Sequence, residues 1–458
     1  MPFVSWYEKH YLRILIGVGV LFGGAAVFLA GYAKGSPKSA SALLMQWSGQ
    51  AAEVLSSGWE QAADPLPEHF LQPSRKPGAG VTVNTLAHSD DLVLLTGFFD
   101  GDPGLRLIRR DGSPVASWRA AFSDLLPERA GKPGAPQTDW NVDLHGSYIE
   151  PDGSVLLNFE YQGTVKLSRC GAPVWSVAAL THHSVEPAAG GGYWMGGTVI
   201  EEVQDAAFTP VIAPGSERRR IKNDMILRVG ADGTVLARKS VFAILIENGL
   251  EPLLSATGEN ISATSTGDGE LLHLNMIDEL PPALAGAFPD FAAGDLVVSV
   301  RDFNLVFVVD PATWTVRWHS VGPWLRQHSA RFLSDGTIGV FNNNAYYYQS
   351  LPEGQTDLGQ PRTSEILTID PRTGKALRRY GNRPGQEMLS VFRGYFQEQP
   401  EGGFLIAEPE AGRVLQVDAK GDTVWEYINR FDAEHVLEMN NARAFPAGYF
   451  TVTDWSCP

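Results

Sequence analysis

Cysteine and positive charge are both scarce in this sequence. Its 458 residues include 2 Cys and 36 Lys and Arg against 52 Asp and Glu, for a net charge of −16 at pH 7. Two cysteines cannot build a disulfide framework or a cysteine-based zinc site. The acidic balance argues against nucleic-acid binding, because affinity for phosphate backbones requires clustered Lys and Arg.

Long helical patterns are nearly absent after residue 63, and no glycine-rich phosphate loop follows a strand. This pattern excludes Rossmann folds, TIM barrels and helical bundles. Glycine and proline are abundant instead, with 48 Gly and 30 Pro dispersed along the chain. Such dispersion indicates many turns.

An uncharged apolar segment occupies residues 14–33. Its twenty residues match one helical crossing of a bilayer, and tyrosines flank both ends. We predict a transmembrane anchor at 14–33 behind a cytoplasmic N-terminus at 1–13. The alternative is a cleaved signal peptide, because residues 31–33 space small side chains as at a cleavage site. Either interpretation sends the remaining chain to the periplasm, and the first predicts a single-pass protein of the bacterial inner membrane.

Two connecting segments precede the main domain. Residues 39–62 carry apolar side chains at spacings of three and four, which predicts a short amphipathic helix. We expect this helix to pack on the next domain, with a position on the membrane surface as the alternative. Residues 63–80 are rich in proline, glycine and charge and predict a linker.

A β-strand pattern repeats through the remaining residues, 81–458. Each unit alternates short apolar strands with polar turns that contain glycine, which is typical of β-hairpins. The last strand often contains tryptophan. The units cover residues 82–118, 141–177, 181–239, 272–319, 327–380 and 392–427.

These six units predict an all-β fold, a six-bladed β-propeller. One such unit cannot bury both faces of its sheet, whereas six arranged radially can, and their sheet edges are then protected. The tail, 442–455, contains further strand material. It either closes the ring against the first unit or builds a seventh blade, and we favour six blades.

Several of the ten histidines recur at one position of the repeat, just before the first strand. The members are His145, His183, His273 and His328, with His88 and His435 as approximate matches. The innermost strand of each propeller blade starts near the central channel, so we expect these positions to converge on one opening. Several imidazoles there would form a polar, titratable site.

The other features of the histidine and cysteine pattern are less specific. We expect His182 to be structural and His319 to lie on the outer surface. A metal site made only of histidines is conceivable, but no HxH or HExxH spacing occurs, so neither a metal nor a cofactor is predicted. Cys170 and Cys457 could pair in an oxidising compartment, although the sequence does not show whether they are close.

Two neighbouring segments resemble the arylsulfotransferase family. Residues 272–320 contain a His-x-Asn start, a strand ending in Ser-x-Arg and a tryptophan strand, and residues 327–344 open with Gln-His and reach Phe-x-Asn. Weaker similarity covers about residues 140–430. The resemblance implies a periplasmic six-bladed propeller that transfers a sulfuryl group between phenolic compounds through a sulfated histidine.

The resemblance also implies roles for individual residues. His273 and His328 match the active-site motifs of the family, Asn275 and Asn342 match its channel-lining amides, and Arg301 matches the end of the Ser-x-Arg strand. Sulfuryl transfer resembles phosphoryl transfer, because a planar anionic group moves between two oxygens and its charge must be met by fixed donors.

A neutral imidazole is a competent nucleophile, and the candidates for this role are His328 and His435. His273 with either Arg331 or Arg301 would bind the sulfuryl oxygens. The remaining substrate-binding candidates are His145, His183 and Arg393.

The sequence departs from the family pattern at two places. Arg393 occupies the position at which an active-site histidine is expected in the last unit, and Asn342–Asn344 followed by Tyr346–Tyr348 replaces an Asp-Asn-Gly run. The tyrosines could stack on an aromatic or sugar ligand, or they could belong to a strand and place aromatic side chains on both faces of the sheet.

The sequence therefore supports two functions. The first is a membrane-anchored arylsulfotransferase that acts on small aryl sulfates and phenolic acceptors. The second is a non-catalytic propeller that binds a polysaccharide or scaffolds an envelope complex, as the Arg393 departure and the acidic charge suggest. A quinone-dependent dehydrogenase is disfavoured, because the sequence has no vicinal cysteine pair and no evident calcium-binding loop.

Overall fold

The computed structural model describes residues 70–457, except for residues 87, 100, 133–134, 137, 140–141, 204–218, 256–271, 346–362 and 382. The predicted anchor at 14–33, the predicted helix at 39–62 and the three tyrosines at 346–348 therefore lie outside the described residues. In the part that is described, no helix has the length and apolar character needed to cross a membrane.

The described chain consists of 27 strands with a few short helices. The strands are β1 (Leu71–Pro73), β2 (Gly80–Asn84), β3 (Leu92–Phe99), β4 (Asp102–Arg109), β5 (Pro114–Arg119), β6 (Leu144–Ile149), β7 (Val155–Phe159), β8 (Gly163–Leu167), β9 (Pro173–Val177), β10 (His182–Pro187), β11 (Tyr193–Val203), β12 (Arg219–Val229), β13 (Val235–Ser240), β14 (Leu274–Glu279), β15 (Leu296–Val300), β16 (Leu305–Asp310), β17 (Thr315–Val321), β18 (His328–Phe332), β19 (Ile338–Asn342), β20 (Glu365–Ile369), β21 (Ala376–Tyr380), β22 (Tyr395–Glu398), β23 (Phe404–Glu408), β24 (Arg413–Val417), β25 (Thr423–Ile428), β26 (His435–Leu437) and β27 (Met439–Phe445). The α-helices are α1 (Phe122–Leu125), α2 (Val241–Glu247) and α3 (Glu251–Ser255).

Six antiparallel sheets form the blades and confirm the predicted all-β, six-bladed propeller. Blades 2 to 5 use four consecutive strands each, namely β6–β9, β10–β13, β14–β17 and β18–β21, and blade 6 uses β22–β25. Blade 1 combines β3–β5 with β27. The innermost strands contact one another in the closed order β6, β10, β14, β18, β22, β27 and back to β6.

Both ends of this domain close the ring. β27 pairs antiparallel with β3, from Met439 opposite Gly97 to Phe445 opposite Leu92, and so becomes the innermost strand of blade 1. β2 pairs with β25 as a fifth, outer strand of blade 6. The tail thus closes the ring, and the described residues contain no seventh blade. The start of the predicted unit 82–118 belongs to blade 6 rather than blade 1.

Three of the recurring last-strand tryptophans, in blades 1, 2 and 6, bind their blade to the next one. Their indole nitrogens donate to backbone carbonyls in the turn before the last strand of the following blade. These hydrogen bonds run from Trp118 to Arg169 at 3.0 Å, from Trp175 to Ala231 at 3.0 Å and from Trp425 to Arg110 at 2.8 Å. The aromatic body fills the space between two blades while its one polar atom is satisfied, which explains why the sequence repeats this residue type.

The termini of the described domain are also tied down. Cys170, in the turn before β9, forms a disulfide with Cys457, with a Cα–Cα distance of 5.6 Å. The Tyr449 hydroxyl donates to the Ile149 carbonyl at 2.7 Å, so the tail lies along blade 2. Within the predicted linker 63–80, β1 pairs with β26.

Candidate functional site

Five of the six innermost strands share an irregularity at the same end of the channel. Strand pairing shifts register between Leu144 and Ser147, His182 and Val185, Leu274 and Met276, His328 and Arg331, and Met439 and Asn441. A bulge of this kind redirects a side chain that a regular strand would pair. Several residues there have left-handed backbone angles, at φ values of 57° for His183 and 59° for His273 and Arg393. Such conformations cost energy in non-glycine residues and concentrate at functional sites.

These bulges, and the left-handed Arg393 before β22 in blade 6, place one polar side chain from each blade around a single opening. We call this set the upper ring: Asn440, His145, His183, His273, His328 and Arg393, from blades 1 to 6. A cavity of about 390 Å³ lies here, and five members of the ring line it together with Asn275 and Asn441. The sixth member, His273, reaches the cavity wall through its contact with His183.

Gly146 shows how tightly the backbones approach at this opening. A Cβ atom on Gly146 would lie 2.0 Å from the carbonyl oxygen of His183 in the neighbouring blade. Glycine is therefore required beside His145 if the first strands of blades 2 and 3 are to meet at this distance.

Four buried side chains form a continuous line into blade 3. His273 Nε2 lies 3.1 Å from His183 Nε2, and His183 Nδ1 lies 2.9 Å from His182 Nδ1. His182 Nε2 lies 3.5 Å from Asp224 Oδ1. Each nitrogen–nitrogen contact holds one shared proton. His182 is buried as expected of a structural residue, and it also connects the upper ring to a carboxylate.

His328 is held in one tautomer by Asn343. The Asn343 amide nitrogen donates to the carbonyls of Ser390 at 2.9 Å and Arg393 at 2.8 Å, so its Oδ1 must face His328. The distance from this oxygen to His328 Nδ1 is 2.7 Å. Because an amide oxygen can only accept, the proton lies on Nδ1 and Nε2 keeps its lone pair.

The environment keeps two of the ring imidazoles neutral. Burial, followed by the charges of His145 and the other neighbouring histidines, holds the pKa of His183 well below its usual range. Burial and the charge of Arg301 do the same for the pKa of His328, against the hydrogen bond to Asn343. Both rings are therefore neutral at pH 7, each with a single ring proton.

Arg393 is surrounded by carboxylates. It forms ion pairs with Asp143 and Glu438, and its Nε donates to His145 Nε2 at 2.9 Å. Glu160 Oε2 lies 3.7 Å from the same His145 nitrogen. Burial opposes the charge of Asp143, but Arg393 outweighs it and holds the pKa of Asp143 well below its usual range. Three carboxylates thus face one guanidinium on this side of the cavity.

Three amide oxygens at the cavity, the Oδ1 atoms of Asn275, Asn440 and Asn441, have no hydrogen-bond partner among the described residues. Asn275 Nδ2 donates to the Gln327 carbonyl at 2.7 Å, and Asn440 Nδ2 donates to the Leu144 carbonyl at 2.6 Å. All three oxygens are buried. A ligand with hydroxyl or amine hydrogens would satisfy them.

A second layer lies further along the same innermost strands. We call it the lower ring: Glu186, Asp278, Arg331, Tyr395 and Arg443. Arg331 donates to Glu186 at 2.9 Å and to the Tyr395 hydroxyl at 2.7 Å, and Arg443 donates to Glu186 at 2.9 Å. Arg331 also lies 3.3 Å from Asp278. Arg331, predicted to bind substrate, is thus engaged in this network.

The two carboxylates of the lower ring differ in acidity. Burial opposes the charge of Glu186, but Arg331 and Arg443 outweigh it and lower the pKa of Glu186. Burial raises the pKa of Asp278 to about 6, because Arg331 compensates it only in part and Glu186 adds repulsion. The lower ring therefore holds one firmly ionised carboxylate and one that titrates near neutrality.

Three other predicted site residues do not line the cavity, although Arg301 lies close enough to act on His328 through its charge. His435, in β26, is 35% exposed at its side chain and lies 2.9 Å from Asp432. Asn342 accepts from the Leu325 amide at 2.8 Å and donates to Glu365 at 2.9 Å, so it organises a loop. Arg301 pairs with Asp302 at 2.8 Å, and its backbone amide donates to the His273 carbonyl.

The sequence patterns missed several residues of the site. Asn343 follows the predicted Asn342, and the Phe-x-Asn spacing counted from Phe341 ends on Asn343 itself. Asn440 comes from the strand that closes the ring, so it lies outside the repeat units that gave the other positions. Asp143 stands two residues before His145, a spacing that carries no recognised motif.

The upper ring could also hold a metal ion. His183, His273 and His328 each offer a nitrogen within 4.8 Å of the other two, and His145, Glu160 and His183 form a second group with this property. Imidazole nitrogen suits zinc and other late first-row metals.

Comparison with known proteins identifies the family of the chain. The model of the arylsulfotransferase (ASST) family matches residues 148–430. No curated protein matches the sequence. Similar solved structures include a protein of unknown function from Bacteroides caccae (12% identity, 78% of this chain and 99% of that one, TM-score 0.47). Virginiamycin B lyase from Staphylococcus aureus with quinupristin is another (9% identity, 80% and 97%, TM-score 0.39). With a family match over more than half of its length, the chain belongs to the arylsulfotransferase family.

Proposed function

We propose that this protein transfers a sulfuryl group from an aryl sulfate to a phenolic acceptor through a covalent sulfated His328. The observation that carries the proposal is the lone pair of His328 Nε2. Asn343 leaves this lone pair free by holding the proton on Nδ1. His328 lines a cavity that the other blades also line with polar side chains, in a propeller of the arylsulfotransferase family.

In the first step, His328 Nε2 attacks the sulfur atom and the bond from sulfur to the aryl oxygen breaks. The phenolate leaves as an anion, because the neutral imidazole of His183 is too weak an acid to protonate it. In the second step, the acceptor phenol gives its proton to the hydrogen-bonded pair of His183 and His273 while its oxygen attacks the sulfur. The bond from sulfur to His328 Nε2 breaks, and the pair then releases the proton to the departed phenolate or to solvent. Positioned imidazoles are suited to both proton transfers.

The sulfuryl oxygens need positive charge, and Arg301 is the better placed of the two predicted arginines. Its charge is the strongest electrostatic influence on His328, whereas Arg331 is bound to Glu186 and Tyr395. Arg393 keeps part of its donor capacity, although two carboxylates neutralise its charge. Arg301 would thus bind the anionic group as sulfur passes between the two oxygens.

The transfer assay uses the purified full chain with 4-nitrophenyl sulfate and phenol. We expect release of 4-nitrophenol that depends on phenol and, without acceptor, a peptide containing His328 that carries the added mass of SO3. His328→Ala should abolish both signals, while the matched control His435→Ala should keep both. Turnover by His328→Ala, or an adduct on another residue, would refute the assignment.

The location of the enzyme is a second part of this proposal. We propose an inner-membrane anchor at residues 14–33 with the propeller in the periplasm. The Cys170–Cys457 disulfide supports it, because such bonds persist in oxidising compartments. Fractionation of cells should recover the full-length chain with the membrane, and protease added to spheroplasts should degrade the propeller. Recovery in the soluble cytoplasm would contradict it.

The second candidate is a non-catalytic propeller that binds a polysaccharide. The unpartnered oxygens of Asn275 and Asn440 favour it, because sugar hydroxyls would satisfy them. Saturable binding of a glycan by a protein that shows no turnover across a range of acceptors would select this alternative.

A further inference from the structure

Three histidines of the upper ring meet the geometric needs of a metal site. His183 Nε2 and His273 Nε2 are 3.1 Å apart, and each of the three residues offers a nitrogen within 4.8 Å of the others. Tetrahedral zinc, with Zn–N bonds of about 2.0–2.1 Å, separates its nitrogen ligands by about 3.3 Å. We propose that His183, His273 and His328 bind a divalent late first-row transition-metal ion such as Zn²⁺, with a fourth position open to the cavity.

Hydrogen bonds to the other ring nitrogen fix the orientation of two of these histidines. His328 Nδ1 is bound by Asn343, and His183 Nδ1 is bound by His182, which itself lies 3.5 Å from Asp224. Both rings therefore present Nε2 to the cavity. Metal-binding histidines usually have their other ring nitrogen fixed in this way. The metal would replace the proton now shared between His183 and His273.

The surrounding charge also favours a cation. Asp143, Glu160 and Glu438 lie on one side of the cavity against the single guanidinium of Arg393. An ion with two positive charges would offset this excess. Magnesium and calcium fit less well, because they prefer oxygen ligands and the three proposed ligands are all imidazoles.

The other possible ligand group is a poorer site. It consists of His145, Glu160 and His183, and Arg393 Nε already occupies His145 Nε2 at 2.9 Å. A metal there would sit beside a fixed positive charge. Arg301 acts on His328 through its charge, but no guanidinium among the described residues donates a hydrogen bond to His183 or His328.

The metal site goes beyond the proposed sulfuryl transfer and competes with it. His328 Nε2 cannot hold a metal ion and attack sulfur at the same time. Bound Zn²⁺ should therefore inhibit transfer, and a chelator should restore it. The ion would be a regulator of the cavity rather than a participant in the reaction.

The binding test uses the full chain after chelator treatment and dialysis. Titration with Co²⁺ should show one ion per chain with the intense visible absorption of tetrahedral cobalt, and Zn²⁺ should displace it. His183→Ala, His273→Ala and His328→Ala should each weaken binding by at least about 100-fold. The control His435→Ala, which removes an exposed histidine beside Asp432, should bind as the wild type does.

Two further results keep this inference separate from the proposed function. X-ray absorption of the zinc-loaded wild type should count three imidazole ligands, and it needs no variant to fold. Weak octahedral cobalt spectra, or binding that survives the three substitutions, would overturn the site. Metal binding without sulfuryl transfer would refute only the function, and transfer without metal binding would refute only the site.

Discussion

The upper and lower rings come from the same innermost strands, yet they differ in how their polar groups are satisfied. The upper ring contains neutral imidazoles, a lone pair on His328 and amide oxygens that lack partners at its cavity. In the lower ring, Glu186 is bound by two arginines and Arg331 is bound on several sides. The difference indicates that the residues proposed to react and the residues that stabilise the fold lie only a few positions apart on the same strands.

The largest effect should come from the upper ring. His328→Ala should reduce kcat for sulfuryl transfer by a factor on the order of 10³ or more, because the nucleophile is lost. The free energy of unfolding, measured by urea denaturation, should change little in comparison. A large loss of stability together with retained transfer would reverse the assignment of the two rings.

A substitution in the lower ring should have the opposite result. Glu186→Gln leaves the buried Arg331 and Arg443 without their shared charge partner, so the free energy of unfolding should fall by about 3–5 kcal/mol. Where the variant is folded, its kcat for sulfuryl transfer should fall far less than that of His328→Ala, because Glu186 lines the cavity but is not the nucleophile. Chemical denaturation and initial rates on the same preparation check both points.

A change remote from both rings provides a reference. The disulfide between Cys170 and Cys457 fastens the tail to blade 2, on the outside of the propeller. Replacing both cysteines with serine should lower the free energy of unfolding by about 2–4 kcal/mol, since the unfolded chain gains freedom. The kcat for sulfuryl transfer at 25 °C should be unchanged. A fall in kcat would show that a change at the blade surface affects the upper ring.

The smallest effect concerns the acidity of the lower ring. Burial raises the pKa of Asp278 to about 6, so the folded state holds a proton there at pH values at which the unfolded chain has lost it. This contribution to stability is fully present below about pH 4 and is lost as the pH rises through 6, by at most about 3 kcal/mol. In Asp278→Asn this part of the pH dependence should be absent. Urea denaturation from pH 4 to pH 8 compares the two, and identical profiles would contradict it.

Much of the fold could be predicted because its signals are local. Hairpin turns, strand alternation and the last-strand tryptophans all follow from a few neighbouring residues, and they gave six units. The ring closure could not be read in this way. β27 joins blade 1 and β2 joins blade 6 through pairing between opposite ends of the domain, and no local pattern specifies that choice.

The site was only partly accessible for a similar reason. The position of His145, His183, His273 and His328 in the repeat was enough to predict that they converge, because a propeller repeats its geometry. The contacts of Arg331, Asn342 and His435 depend on which residues other blades place opposite them. The sequence suggested them as site residues, whereas the structure gives them ion-pair, loop and surface positions.

The sequence by itself determined the all-β class, the six repeated units and the histidines that share one position of the repeat, whereas the choice between six and seven blades depended on how the tail pairs. These follow from periodicity, which every unit carries in its own residues. Only the tertiary structure decided that Asn343 fixes the tautomer of His328, that His182 and Asp224 stand behind His183, and that Arg393 is held by Asp143 and Glu438. The contacts of Arg393 with Asp143 and Glu438 join different blades and form only when the ring closes. Those of Asn343 and His182 lie within one blade and depend on how its strands and loops fold together.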